Sequence, residues 1–188
     1  MKKYQVSECI SFRKTREEWG GLSNMCAGYP IEIQGIEIRT SEALYQSLKF
    51  PDHAFVQREI LEQKSPMSAK MKAKKHRAYI HEDWEENKLE AMYYSLLCKA
   101  YANPYDKLLG MRSFLHLLKR TGDRRIVEIS HKDRFWGAVR DKEDLSIAKG
   151  HNHLGGLLEV VRSGSSRPIN LSGRFEFKLL NSRLHLPN

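Results

Sequence analysis

The chain has 188 residues, 40% hydrophobic and 29% charged, which suits one compact domain with its own core. No run approaches the ~18 consecutive apolar residues of a membrane span, and Met1-Lys2-Lys3-Tyr4 continues into polar sequence unlike a leader. Three widely spaced cysteines (Cys9, Cys26, Cys98) give no disulfide framework, so a cytoplasmic protein with reduced thiols is expected, and 32 Lys and Arg against 23 acids, net +9, point to an anionic partner.

In chain order, Tyr29 to Ile38 reads as a β-hairpin: Ile31 and Ile33 alternate with polar residues, Gln34-Gly35 can turn, and Ile36 and Ile38 alternate on the way back. A short helix is expected from Glu42 to about Phe50, with Thr40 or Ser41 as cap and Pro51 as stop. Helical patterns follow over His53 to Gln63 and Pro66 to Arg77, the second with proline in its first turn. The longest helix is expected from about Asp83 to Ala102, where Leu89, Met92, Tyr93, Leu96, Leu97 and Ala100 recur at helical spacing. Another helix is expected from Tyr105 to Arg120, then a strand over Arg125 to Ile129 and an amphipathic helix over Leu154 to Val161. The class is α+β: a predominantly helical single domain over 1–162 with a small antiparallel sheet. Residues 163–188 read as a basic extension of uncertain order.

Metal-binding patterns are missing from this sequence. Eight histidines and three cysteines form no Cys-x-x-Cys and no His-Glu-x-x-His, so no metal and no cofactor is expected. Lys70, Lys72, Lys74, Lys75 and Arg77 put five cations into eight residues without an acid, and Lys70, Lys74 and Arg77 share one helical face. That face is either solvated or a phosphate contact. Trp84 at a helix start is a lid on a core or a stacking platform for a base. Asp83 beside it serves as an N-cap on the simplest reading. Asp133 sits in a loop between Lys132 and Arg134, whose charges favour an ionised carboxylate that could face a developing positive charge. Glu42, in a first helical turn, complements the helix dipole by default.

The ordered strings carry more than any one of them. Glu18-Trp19-Gly20-Gly21-Leu22-Ser23-Asn24, Thr40-Ser41-Glu42-Ala43-Leu44-Tyr45-Gln46, Lys49-Phe50 and Ser65-Pro66-Met67-Ser68-Ala69-Lys70 come first. Asp83-Trp84, Gly122-Asp123, Glu128, Asp133-Arg134-Phe135-Trp136-Gly137 and Gly150-His151-Asn152-His153-Leu154-Gly155 follow. The set, spanning roughly Phe12 to Arg162, resembles the NADAR family, named for NAD and ADP-ribose, whose members include YbiA-like N-glycosidases. The resemblance implies a helix-rich α+β fold and cleavage of an N-glycosidic bond to a ribose. One branch acts on phosphorylated ribosylamino-pyrimidine intermediates of riboflavin synthesis. The other, DarG-type, removes ADP-ribose from guanine bases of DNA as antitoxin to DarT-type ADP-ribosyltransferases. Ser41-Glu42-Ala43-Leu44-Tyr45-Gln46 and Gln63-Lys64-Ser65-Pro66 with Lys70 look closer to the second branch.

By that resemblance Glu42 and Asp133 are the catalytic carboxylates and Trp84 and Trp136 the aromatic walls. Lys70 and Asn152 match family positions, and Asn24 and Gly137 lie within the matched strings. Lys70 with Lys74 or Arg77 would hold phosphates. Met25-Cys26 and the segment Arg140 to Ala148 depart from the pattern. The expected partner is ADP-ribosylated DNA or a ribosylamino-pyrimidine phosphate, with a DarT-type toxin encoded nearby and no membrane. A non-enzymatic nucleic-acid or ADP-ribose binding module is the rival reading.

Overall fold

The computed structural model of the chain describes residues 1–103, 105, 110, 113–164 and 175–187. Along the chain the strands are β1 (Lys2–Gln5), β2 (Ile10–Phe12), β3 (Ile31–Ile33), β4 (Ile36–Ile38), β5 (Ile126–Ser130), β6 (Ala138–Arg140), β7 (Ile147–Gly150), β8 (Lys178–Leu179) and β9 (Ser182–Arg183). The α-helices are α1 (Ser41–Ser47), α2 (Ala54–Leu61), α3 (Pro66–Lys75), α4 (Trp84–Tyr101), α5 (Phe114–Arg120) and α6 (His153–Ser163). They fall into two compact units: Met1–Ser23 with Gly110–Arg167, and Asn24–Leu109 with Pro168–Asn188.

The first unit holds a five-stranded sheet in the order β1-β7-β6-β5-β2. The α+β class is as expected, but this sheet is larger than predicted and mixed: β2 and β6 both run parallel to β5, while β1 and β6 run antiparallel to β7. A full parallel crossover needs about a dozen residues or more. Residues 131–137 suffice because β6 meets only the end of β5, at Ile129↔Ala138 and Ser130↔Val139. Val127, Ile129, Ala138 and Ala148 form a buried cluster with Tyr4, Val6 and Cys9 packed on it. Helix α6 lies along β5, where the Glu159 carboxylate accepts from the Ile126 N–H at 2.9 Å and from the Arg125 guanidinium at 2.8 Å. Of the helix expected over Tyr105 to Arg120, the stretch Phe114–Arg120 is helical, capped by Ser113; residues 106–109 and 111–112 lie outside the described residues.

The second unit is built around α1, all seven of whose residues are buried beneath α2, α3 and α4. Thr40 caps α1 by accepting from the Ala43 N–H at 3.2 Å. Ser65 and Ser68 form a reciprocal capping box on α3, with Pro66 in the first turn, where its missing N–H costs nothing. The β3–β4 hairpin turns at Gln34 and Gly35, both at positive φ (52° and 77°) as a two-residue turn with the right twist requires. Residues 175–187, expected as an appendage, belong to this core instead. Phe175, Phe177, Leu179 and Leu184 are buried, and Phe177 stacks on Tyr94 with centroids 6.2 Å apart. Gln57 ties the segment down, donating to the Lys178 carbonyl at 2.8 Å and accepting from the Leu180 N–H at 2.6 Å. Residues 165–174 lie outside the described residues.

Candidate active site

In the second unit the Thr40 cap sets the first turn of α1 so that Glu42 points into the interior, 5% exposed. Both of its oxygens are held. Oε2 accepts from Asn24 Nδ2 at 3.2 Å, and Oε1 accepts from Gln46 Nε2, one turn along the helix, at 2.8 Å. Asn24 is itself 4% exposed, and its Oδ1 has no hydrogen-bond partner. A buried acceptor without a donor is costly in the free protein, so this oxygen suits a hydroxyl or N–H of a bound ligand. The carboxylate has the expected place in the first turn of α1.

Trp84 opens α4 and is 5% exposed, its ring 5.3 Å from Tyr45 and 6.0 Å from Phe175. It is thus largely a core side chain, as one of the two sequence readings had it. Lys49 lies over this pair, Nζ 5.5 Å from the Tyr45 centroid and 5.4 Å from that of Trp84. Burial pushes the Lys49 pKa down; the Glu42 charge opposes the shift and Lys70 adds to it. Glu42, Lys49 and Lys70 therefore share one electrostatic environment. Sequence reasoning gave Lys49 and Gln46 no role, although both lie in the matched strings and Gln46 stands four residues from Glu42, on the same helical face.

Lys70 and Lys74 are exposed on α3, but the third member of the expected face is not on the helix: α3 ends at Lys75 and Arg77 begins a 3₁₀ turn, Arg77–Tyr79. The cationic run is also less bare than its sequence. Lys72 pairs with Glu59 of α2 at 3.1 Å and His76 with the same carboxylate at 3.0 Å.

In the first unit Asp133 is an exposed loop residue whose Oδ1 accepts from the N–H groups of Phe135 and Trp136, both at 2.9 Å. One oxygen thus shapes the turn that aims Trp136. Four backbone hydrogen bonds latch this loop to the next motif: His151 to Arg134, Asn152 to Gly137, His153 to Phe135 and Leu154 to Trp136. Gly137 is glycine because a Cβ there would lie 2.6 Å from the Glu128 carbonyl oxygen, and one at Gly150 would lie 2.2 Å from that of Gly137. Asn152, in left-handed backbone (φ 55°) and 4% exposed, spends its amide on β5: Nδ2 donates to the Ile126 carbonyl at 2.8 Å and Oδ1 accepts from the Glu128 N–H at 3.1 Å. Its contacts are those of a brace between strand and helix rather than of a ligand contact. Trp136 is half-buried, edge-on to Phe135 at 5.0 Å.

Among the described residues no three His, Cys, Asp or Glu side chains are grouped to hold a metal ion, and no helix is long and apolar enough to cross a membrane. The chain is similar to the N-glycosidase YbiA of Escherichia coli, with 31% identity over 153 residues, covering 81% of this chain and 86% of that protein. It is also similar to a riboflavin biosynthesis protein of Vibrio vulnificus, with 30% identity over 159 residues, covering 84% of this chain and 38% of that one. The solution NMR structure of E. coli YbiA superposes with a TM-score of 0.65 at 28% identity, covering 84% of each chain. Residues 11–164 match the NADAR domain, and the chain belongs to the NADAR family.

Proposed function

We propose that the chain hydrolyses the N-glycosidic bond joining ADP-ribose to guanine bases of DNA, in the cytoplasm, as the antitoxin to a DarT-type ADP-ribosyltransferase. As a member of its family the chain is a hydrolase of N-glycosyl bonds. The observation that carries the chemistry is the buried Glu42 carboxylate, clamped by the Asn24 and Gln46 amides beside the unpartnered Asn24 oxygen. Cleaving such a bond leaves positive charge at the anomeric carbon of the ribose, and a fixed carboxylate facing it lowers the barrier or activates the attacking water. The amides keep Glu42 from rotating away. Asn24 Oδ1 accepts from a ribose hydroxyl, and Lys49 and Lys70 draw in phosphate. For Asp133 and Trp136 of the first unit, the motif alone supports a role in the reaction.

A DNA substrate is supported by an exposed strip on the second unit. Phe55 and Tyr79 are 50% and 45% exposed and 5.6 Å apart, with the His53 and His76 rings against them, and the exposed Lys74, Lys75 and Arg77 flank His76 in the chain. Exposed rings among cations suit a nucleic-acid strand, whose bases stack and whose phosphates pair. The riboflavin biosynthesis protein among the relatives favours a second reading, a phosphorylated ribosylamino-pyrimidine as substrate.

The test is an oligonucleotide carrying ADP-ribose on one guanine, incubated with the protein in EDTA and read by mass. Wild type is expected to yield the unmodified strand and free ADP-ribose, and Glu42→Gln to yield neither at a detectable rate. Turnover by Glu42→Gln at the wild-type rate overturns the role of Glu42. An intact adduct, with release of base from the ribosylamino-pyrimidine phosphate, decides for the second reading.

A further inference from the structure

In the first unit the carboxyl ends of three parallel strands, β2, β5 and β6, open into a cavity of about 380 Å³. The carboxyl ends of parallel strands are where open sheets commonly receive ligands, because the connecting loops diverge there and leave a crevice. Four basic side chains line this one: Arg13 follows β2, His131 follows β5, Arg140 ends β6 and Lys142 lies two residues beyond it. Among the described residues Arg13, Arg140 and Lys142 form no ion pair.

Local contacts hold Arg13 and Arg140 in place without pairing them with an acid. Arg13 Nη2 meets His131 Nε2, and Arg140 Nη1 donates to the Leu145 carbonyl. The one acid in the wall, Glu17, has Oε2 occupied by the backbone N–H groups of Arg13 at 2.9 Å and Lys14 at 3.1 Å. Phe12, Ile129 and Val139 give the cavity an apolar flank, as small-molecule sites usually have. Positive charge converging from three strand ends onto such a space calls for a compact anion with an organic part.

We propose that this cavity binds a phosphate-bearing small molecule, of the size of a sugar phosphate or mononucleotide, with its phosphate on Arg13, Arg140 and Lys142 and its organic part against Phe12 and Val139. The ligand would bear on the motif loop, because Ser130 in the cavity wall accepts from the Asp133 N–H at 3.0 Å. The site draws on first-unit residues alone and holds whatever the substrate bound at Glu42 proves to be.

The test titrates inorganic phosphate, pyrophosphate and AMP into the full chain by calorimetry and follows backbone amide shifts by NMR. Saturable binding is expected, with shifts at Ser130, His131 and the residues flanking Arg13 and Arg140. Each of Arg13→Gln, Arg140→Gln and Lys142→Gln is expected to weaken binding about 10- to 100-fold, as loss of one charge-assisted hydrogen bond does, while Lys119→Gln, at an exposed position of α5, leaves it unchanged. Lys142 is exposed and its side chain makes no hydrogen bond or ion pair among the described residues, so its replacement tests the site without disturbing the sheet. Equal affinity in wild type and Lys142→Gln, shifts confined to the second unit, or no saturable binding of any probe overturns the proposal.

Discussion

Lys99 offers a direct test of how burial governs charge in this protein. It lies near the end of α4 with no surface exposure, its Nζ 5.0 Å from the centroid of the Tyr29 ring. Burial pushes its pKa from 10.5 down to about 7, against an opposing effect of Cys26. Between those values the unfolded chain carries a proton on Lys99 that the folded chain has shed, so stability rises with pH through the window and levels off below it. The difference, 10.5 minus 7, corresponds to a total on the order of 5 kcal/mol at 1.36 kcal/mol per unit. Cys98 acts in the opposite sense: burial lifts its thiol from 9.0 to about 12, so the unfolded chain ionises first and stability falls above about pH 9. The clean interval is therefore pH 7 to 9, where Lys99 contributes about 3 kcal/mol. Urea midpoints across that interval are expected to rise for wild type and to rise clearly less for Lys99→Met, which keeps the unbranched shape without the charge and leaves only smaller contributions such as that of Lys49. Wild type and Lys99→Met moving in parallel would refute the reasoning.

Asp133→Asn keeps the oxygen that accepts from the Phe135 and Trp136 N–H groups, so its melting temperature is expected to match wild type while turnover falls at least ~100-fold; full activity would assign Asp133 to the turn alone. Asp133→Ala loses the turn as well, at about 1–2 kcal/mol in urea titration. Gly137→Ala drives a Cβ against the Glu128 carbonyl and is expected to cost about 1–3 kcal/mol, read as a lowered urea midpoint. Phe177→Ala opens a cavity over Tyr94 and is expected to cost about 3–5 kcal/mol, whereas a C-terminal segment of no structural consequence would leave the midpoint unmoved.

Local signals in the sequence were reliable, and long-range pairings were not legible in it. The β3–β4 hairpin and the helices α1, α3 and α4 announce themselves through alternation, caps and three-and-four spacing, all decided within a few residues. Strands β1, β6 and β7 do not. Lys2-Lys3-Tyr4-Gln5 is polar, Ala138–Arg140 has three residues, and each becomes a strand only through partners elsewhere in the chain, Lys2 with Gly150 for one. Phe175 and Phe177 sit in a basic stretch whose charge masked them; their partners Trp84 and Tyr94 lie some eighty to ninety residues earlier. For the candidate site, Glu42, Asn24 and Gln46 all lie within motif strings that can be read in the sequence. What the strings cannot convey is the division of labour inside them. Asn152 matches a family position, and its amide braces β5; Lys49 stands in a matched string with no role read from it, and it lies over two rings.

The order of the two units along the chain bears on how the protein is made. Each is closed by a stretch that follows the other: β2 waits for β5, and the bed formed by Gln57, Trp84 and Tyr94 waits for residues 175–187. A nascent chain emerging in order therefore passes through a stage in which neither core is complete. Pairings separated by more than a hundred residues, such as Gln57 with Lys178, must then form across a large entropic gap. During that interval the Tyr94 face and the edge of β2 stand uncovered, the kind of transiently exposed apolar surface and unpaired strand edge that invites aggregation before folding is complete.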